Sequence, residues 1–240
     1  MIWEAFAGYE ELSQRAAEIL LGAIRRDPHI VLGLPTGRTP VGMYARVVAH
    51  CKREYHCFRA VTTFNLDEYA GIPHDHPGSY CTFMREHLFA HVDLQPENTH
   101  IPNGVHPDPE GYERDIAAAG GLGLTFLGLG SNGHIAFNEP GTPFDSRTRV
   151  VELTESTRRA NASFFPDGHV PTHAITMGIA TILSSRSIVL LASGASKRNA
   201  LAQLRSGEIT TGFPASALWQ HSDVRVLMGS GLESAVRSTT

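Results

Sequence analysis

Three short stretches place residues able to do chemistry beside residues able to shape a turn. The richest is Leu127-Gly128-Leu129-Gly130-Ser131-Asn132-Gly133-His134-Ile135-Ala136-Phe137-Asn138-Glu139-Pro140, where an apolar run meets a glycine-rich turn that delivers a histidine. Asn132 and Glu139 stand close to His134 in sequence. A histidine held by a carboxylate and an amide is a tuned acid/base group; the alternative is a flexible turn with an incidental histidine. The second stretch, Thr63-Phe64-Asn65-Leu66-Asp67-Glu68-Tyr69, ends a strand in two adjacent acids. Side chains alternate along extended backbone, so only one acid faces a site. Asp67 is placed there for general-base work or for metal binding. Glu68 reads as a solvated loop acid.

The third stretch, Gly33-Leu34-Pro35-Thr36-Gly37-Arg38-Thr39-Pro40, joins an apolar run to a helical pattern. A helix N-terminus at a strand's carboxyl end offers unpaired N–H groups and a positive dipole end, and Gly37 lets the backbone approach an anion closely. Thr36 and Thr39 add hydroxyl donors. The spacing is neither a Walker loop nor GxGxxG, so the choice lies between a phosphate site and a tight turn with a capping threonine. Two cations stand ready to complete a phosphate clamp. Lys197 follows the turn Ser193-Gly194-Ala195-Ser196 near a helix N-terminus, where a cation opposes the dipole unless an anion is bound. Arg158 reads either as part of the clamp or as a solvated charge. The other twelve histidines read as surface or core residues, and no HExxH-type spacing points to a metal.

The elements that must position these residues alternate between strand and helix. Helical spacing runs over Glu11–Arg26, Pro40–Arg53, Tyr80–Val92, Thr172–Leu183 and Ser196–Arg205, with Thr39 as N-cap and Pro40 as first residue of the second helix. Apolar runs at Ile30–Leu34, Ala60–Leu66, Leu122–Leu127, Ser187–Ala192 and Val224–Met228 read as strands. Such alternation predicts an α/β fold with an open, mostly parallel sheet and helices on both faces. No linker or repeat divides residues 1–240, which read as a single domain. The irregular stretch from about 139 to 171 is too long for an ordinary connection and is expected to be a lid.

Composition excludes several classes. The 240 residues are 42% hydrophobic and 18% charged, ordinary for a globular enzyme, and the net charge of −4 gives no basic face for nucleic acid. No apolar run approaches the ~20 residues that span a bilayer, and the N-terminus lacks a signal-peptide layout. Cys51, Cys57 and Cys81 are an odd number without CxxC spacing, which fits neither a disulfide framework nor a zinc site and points to a reducing, cytoplasmic setting.

Taken in order, these segments resemble the glucosamine-6-phosphate deaminase (isomerase) family across nearly the whole chain. Gly-His-Ile-Ala-Phe-Asn-Glu-Pro (133–140) together with Asn-Leu-Asp-Glu-Tyr (65–69) is highly specific, and Ser146–Arg149, Thr157–Asn161 and Gly194–Lys197 extend the match. The resemblance implies a modified Rossmann-type sheet and conversion of glucosamine 6-phosphate and water to fructose 6-phosphate and ammonia, without metal or organic cofactor. It makes Asp67 the base that moves a proton from C2 to C1, His134 the ring-opening acid/base, and Asn132 and Glu139 its partners. Thr36, Gly37, Arg38, Thr39, Arg158 and Lys197 fall in the phosphate site. The chemistry is consistent: C1 and C2 are neighbours in a cis-enolamine, so one carboxylate serves both.

Rival readings are a 6-phosphogluconolactonase, whose turn lacks the Asn-Glu-Pro tail, a galactosamine 6-phosphate enzyme, and a catalytically silent sugar-phosphate sensor, which would lack Asp67 or His134. The resemblance also bears on regulation. Allosteric members use basic residues after Asn-Glu-Pro and a tyrosine in a longer C-terminal tail. Here Arg149 matches one basic position, Val151 replaces a second, and no tyrosine follows Tyr112. A monomer or small homo-oligomer without activation by N-acetylglucosamine 6-phosphate is the expectation.

Overall fold

The computed structural model describes residues 1–54, 57–165 and 168–229. β1 (Ile2–Ala5) leads into α1 (Tyr9–Arg26), whose stripe of Leu12, Ala16, Leu20 and Ile24 is buried while Arg25 and Arg26 face the negative end of its dipole. Then come β2 (Val31–Leu34), α2 (Val41–Cys51), β3 (Thr62–Asn65) and β4 (Asp67–Tyr69). Next are α3 (Tyr80–His87), β5 (Thr99–His100), α4 (Pro109–Ala118) and β6 (Leu124–Gly128). β7 (Arg149–Glu152), α5 (Glu155–Asn161), β8 (His173–Thr176) and α6 (Ile179–Leu183) follow. β9 (Ser187–Ala192), α7 (Arg198–Arg205) and β10 (Val224–Met228) complete the series.

Seven strands form a fully parallel sheet in the order β1-β10-β9-β6-β2-β3-β5. Its central strands β2, β6, β9 and β10 are buried on both faces because helices cover both. One core packs Leu12, Leu20, Met43, Val47 and Met84 of α1–α3 against Leu32 and Leu34. The other packs Ile116 of α4, Ile182 of α6 and Leu201 and Leu204 of α7 against Leu127, Leu190 and Val226. The chain runs outward from β2 through β3 to β5 and then returns to β2's other side as β6. That reversal opens a crevice between the carboxyl ends of β2 and β6, where ligands bind in open α/β sheets.

A second sheet, β4-β8-β7, is antiparallel and has its own core of Tyr69, Phe137, Leu153, Phe165 and Ala174. It changes three expectations. Residues 172–183 are not one helix: β8 takes the first part, pairing with β4 and β7, and only Ile179–Leu183 is helical. Here a pairing partner overrides a pattern ambiguous over so few residues. The stretch 139–171 is not irregular either, since it contains β7 and α5. Asp67 and Glu68 lie within a strand rather than on a loop, because the chain switches sheets at Leu66.

The start of α2 also differs. Pro40, not Thr39, occupies the cap position, and no side chain of its own segment caps the helix. Tyr9 of α1 does the work from a distance: its hydroxyl accepts from Gly42 N at 2.7 Å and lies 3.1 and 3.0 Å from the Arg38 and Thr39 carbonyls, one of which takes its proton. The free N–H groups of a helix end need a partner, and the fold supplies one from another helix.

Candidate active site

A cavity of about 360 Å³ occupies the crevice at the strand ends, within the ~300–1,000 Å³ typical of small-molecule sites. Its walls include Thr36, Gly37, Arg38 and Thr39 after β2, Asp67 on β4, Gly128 to Asn132 and His134 after β6, and Thr157 and Asn161 on α5. Eight of the residues singled out from sequence therefore meet around this space or directly behind it, Glu139 standing behind His134. Gly37 has φ +92°, a conformation that exposes its backbone and that residues with a Cβ rarely adopt.

The turn after β6 aims His134 by close packing. A Cβ on Gly130 would lie 2.4 Å from the imidazole Cγ, so only glycine lets the ring fold back over the strand end. Asn132 holds the turn from inside: its Oδ1 accepts from the His134 backbone N–H at 3.2 Å, and its Nδ2 donates to Glu139 Oε2 at 2.6 Å. Glu139 Oε1 accepts from the Thr157 hydroxyl and stands 3.7 Å from His134 Nδ1. Asn132 thus grips the carboxylate and the backbone rather than the imidazole itself. His134 Nδ1 is buried and makes no hydrogen bond in this state. Burial holds the imidazole's pKa below its usual value; Glu139 opposes that shift and the charge of Lys197 adds to it. His134 is therefore a neutral acid/base group at neutral pH.

The paired acids part as alternation requires. Asp67 faces the cavity, where burial and then the charge of Glu68 push its carboxyl up to about 8. Glu68 faces away and is fully buried, which overturns its reading as a solvated acid. It accepts from the backbone N–H groups of Tyr69, Tyr80 and Cys81 at 2.8, 2.9 and 2.9 Å. Two of those donors open α3, so the carboxylate ties β4 to a helix N-terminus. Burial raises Glu68 to about 7 against the pull of these three bonds.

Neither of the two distant cations lines the cavity. Lys197, in the 3₁₀ turn Ala195–Lys197 before α7, is partly buried, its pKa lowered by that burial, and its charge reaches His134. Arg158 lies on α5 beside Thr157, with a buried Nε that has no hydrogen-bond partner. Arg38 lines the cavity, and its guanidinium donates to Ser163 Oγ at 3.0 Å and lies 5.8 Å from the Phe164 ring centroid. Sequence reasoning missed Tyr80, which lines the cavity with its hydroxyl hydrogen-bonded to Tyr69 and Thr36. A tyrosine at the start of a helical pattern carries no signal that it will face a pocket.

Crevice, turn and buried carboxylate together define a class, an open parallel α/β enzyme with acid/base groups and an anion-suited loop at a topological switch point. The chain belongs to the family of glucosamine-6-phosphate isomerases and 6-phosphogluconolactonases, whose family model matches residues 5–228. It is 50% identical over 234 residues to a glucosamine-6-phosphate deaminase of Lysinibacillus sphaericus strain C3-41, covering 95% of this chain and 99% of that one. It is 50% identical over 225 residues to glucosamine-6-phosphate deaminase 1 of Bacillus subtilis strain 168, covering 92% and 93%. Among solved structures, a monomeric glucosamine-6-phosphate deaminase superposes with a TM-score of 0.95 at 48% identity, covering 98% of this chain and 100% of that one. The 6-phosphogluconolactonase of Trypanosoma brucei shares the fold, with a TM-score of 0.79 at 21% identity over 97% of each chain.

Proposed function

We propose that this chain converts glucosamine 6-phosphate and water to fructose 6-phosphate and ammonia. The observation that carries the reading is the meeting, in one cavity, of a buried Asp67 and a neutral His134 backed by Glu139. His134 moves a proton between the C1 hydroxyl and the ring oxygen, opening the sugar. Asp67, once ionised, takes the proton from C2 and returns it to C1 through an enolamine. Water then adds to the iminium carbon at C2, the C–N bond breaks and ammonia leaves. Asn132 and Glu139 keep the imidazole in place through the hydrogen bonds that fix their own positions.

Phosphate is assigned to Thr36, Gly37 and Thr39, with Lys197 and Arg158 closing on it. The buried, unpartnered Nε of Arg158 supports that role, since an anion would satisfy it. Residues 139–171 act as the lid in this reading, and Arg38 is its latch as well as a phosphate ligand. The assembly is small or monomeric and cytoplasmic. Regulation by N-acetylglucosamine 6-phosphate is not expected, because Arg149 is committed internally, donating to Asn138 Oδ1 at 2.9 Å. Among the described residues no helix is long and apolar enough to cross a membrane.

The test is ammonia release from glucosamine 6-phosphate and galactosamine 6-phosphate, with 6-phosphogluconolactone hydrolysis as control. Lactone hydrolysis without ammonia from either amino sugar would overturn the proposal. Saturation curves with and without N-acetylglucosamine 6-phosphate test the regulation: hyperbolic and superimposable curves are expected.

A further inference from the structure

The last turn of α2 carries His50, and the chain keeps turning after the helix ends at Cys51: the N–H groups of Arg53 and Glu54 donate to the His50 carbonyl at 2.9 and 3.2 Å. Glu54 therefore falls one turn beyond His50, with its carboxylate 3.1 Å from His50 Nε2. Cys57 comes back to the same place, its thiol donating to the Glu54 carbonyl at 3.3 Å. As a result one ligand atom each from His50, Glu54 and Cys57 lie within 4.8 Å of one another, the one such group among the described residues. The Cys51 thiol is hydrogen-bonded to Cys57, and Asp93 and Glu54 bring negative charge to it.

We propose that His50, Glu54 and Cys57, with Cys51 as fourth donor, form a binding site for a zinc-class divalent cation. Ligand atoms at ~2.0–2.3 Å from a tetrahedral metal lie ~3.3–3.8 Å apart. The His50–Glu54 pair is already near that spacing, and the Cys57 thiol lies within 4.8 Å of both. A donor set of imidazole, carboxylate and thiol selects zinc over magnesium or calcium, which take oxygen. On coordination each thiol gives its proton to solvent and becomes a thiolate. No CxxC spacing announces the site because its members come from the end of α2, the turn after it and the segment that leads to β3.

The cluster lies far from the chemistry. α2 begins beside the Thr36–Thr39 loop, and its eleven residues carry the chain about 16 Å away at ~1.5 Å per residue. The cation's role is structural: it staples the end of α2 to the loop that enters β3.

Reduced, metal-free protein should be titrated with Zn²⁺ against a chromophoric chelator, and separately with Co²⁺ while thiolate-to-cobalt charge-transfer absorption is recorded. One equivalent should bind, with a tetrahedral cobalt spectrum, raised Tm and unchanged kcat. His50→Gln and Cys57→Ser should each weaken binding at least tenfold, with circular dichroism matching the wild type. Absence of the charge-transfer band in the wild-type chain overturns the proposal without reference to any variant. So does zinc affinity equal to the wild type's in both variants, or a Cys51–Cys57 disulfide that forms in air whether or not zinc is present.

Discussion

Asn132 Nδ2 donates to Glu139 Oε2 at 2.6 Å, while the other oxygen of that carboxylate stands 3.7 Å from the imidazole of His134. The amide therefore acts on the histidine at one remove. Asn132→Ala should remove a charge-assisted bond worth about 1.5–3 kcal/mol, a loss of roughly 10- to 150-fold. The loss should fall on the cyclic substrate and largely spare an open-chain analogue, because the proposed role of His134 is confined to ring opening. Rates on both forms decide it: equal losses would detach Asn132 and Glu139 from that step.

Asp67→Asn should reduce turnover by roughly 10²–10⁴-fold with KM little changed, since an amide cannot take the C2 proton. Stability offers a second readout. The folded carboxyl sits at about 8, against ~3.9 unfolded. A raised carboxyl binds its proton more tightly in the folded chain, so wild-type stability declines as pH climbs from ~4 towards ~8. The variant escapes that decline. Its Tm should exceed the wild type's near pH 8 and converge with it below about pH 4. A parallel pair of Tm curves across this range would show that Asp67 is not perturbed as described.

The neighbour tunes the base. In the free enzyme kcat/KM should rise as Asp67 ionises, towards about pH 8, with burial and then the charge of Glu68 setting that limb. Glu68→Gln removes the charge, so the limb should move to lower pH. The same change removes part of the acceptor for three buried N–H groups and should cost about 1–3 kcal/mol of stability. A destabilised variant with an unmoved limb would leave Glu68 a purely structural role.

Arg38 ties the loop after β2 to residues 163 and 164. Arg38→Ala should loosen that closure and lower kcat/KM by roughly 3- to 10-fold. Hydrogen exchange of residues 155–165 is the direct check. Faster exchange in the variant is expected, and unchanged exchange would count against a latch.

Lys197→Ala and Arg158→Ala should raise KM for the phosphorylated sugar by roughly 10- to 150-fold. Discrimination between glucosamine 6-phosphate and glucosamine should fall with it. Loss of Lys197 also removes a charge that depresses His134, so the limb assigned to the imidazole should move up in pH in that variant alone. Discrimination unchanged in both variants would place the phosphate elsewhere.

Much of this architecture is local and was readable from order and type of residue. β9 and β10 coincide with their apolar runs because a strand buried on both faces leaves an uninterrupted signal. The glycine-rich turn and the acid just beyond β3 could be assigned chemistry because backbone freedom and side-chain alternation belong to the segment itself. What depended on partners was not readable. β1, β8 and β7 are strands because β10, β4 and β8 respectively lie beside them, and α4 escaped notice with only Tyr112 and Ile116 buried. Glu68 became a buried anchor, Tyr9 a helix cap and Tyr80 a cavity wall only when elements distant in sequence came together. Sequence by itself determined which residues are the candidates for the chemistry, because their types and short-range spacing are local. The tertiary structure alone decided how far Asp67 is pushed from its ordinary pKa and what holds His134 in place, because desolvation and hydrogen-bond partners are set by neighbours the chain meets only on folding.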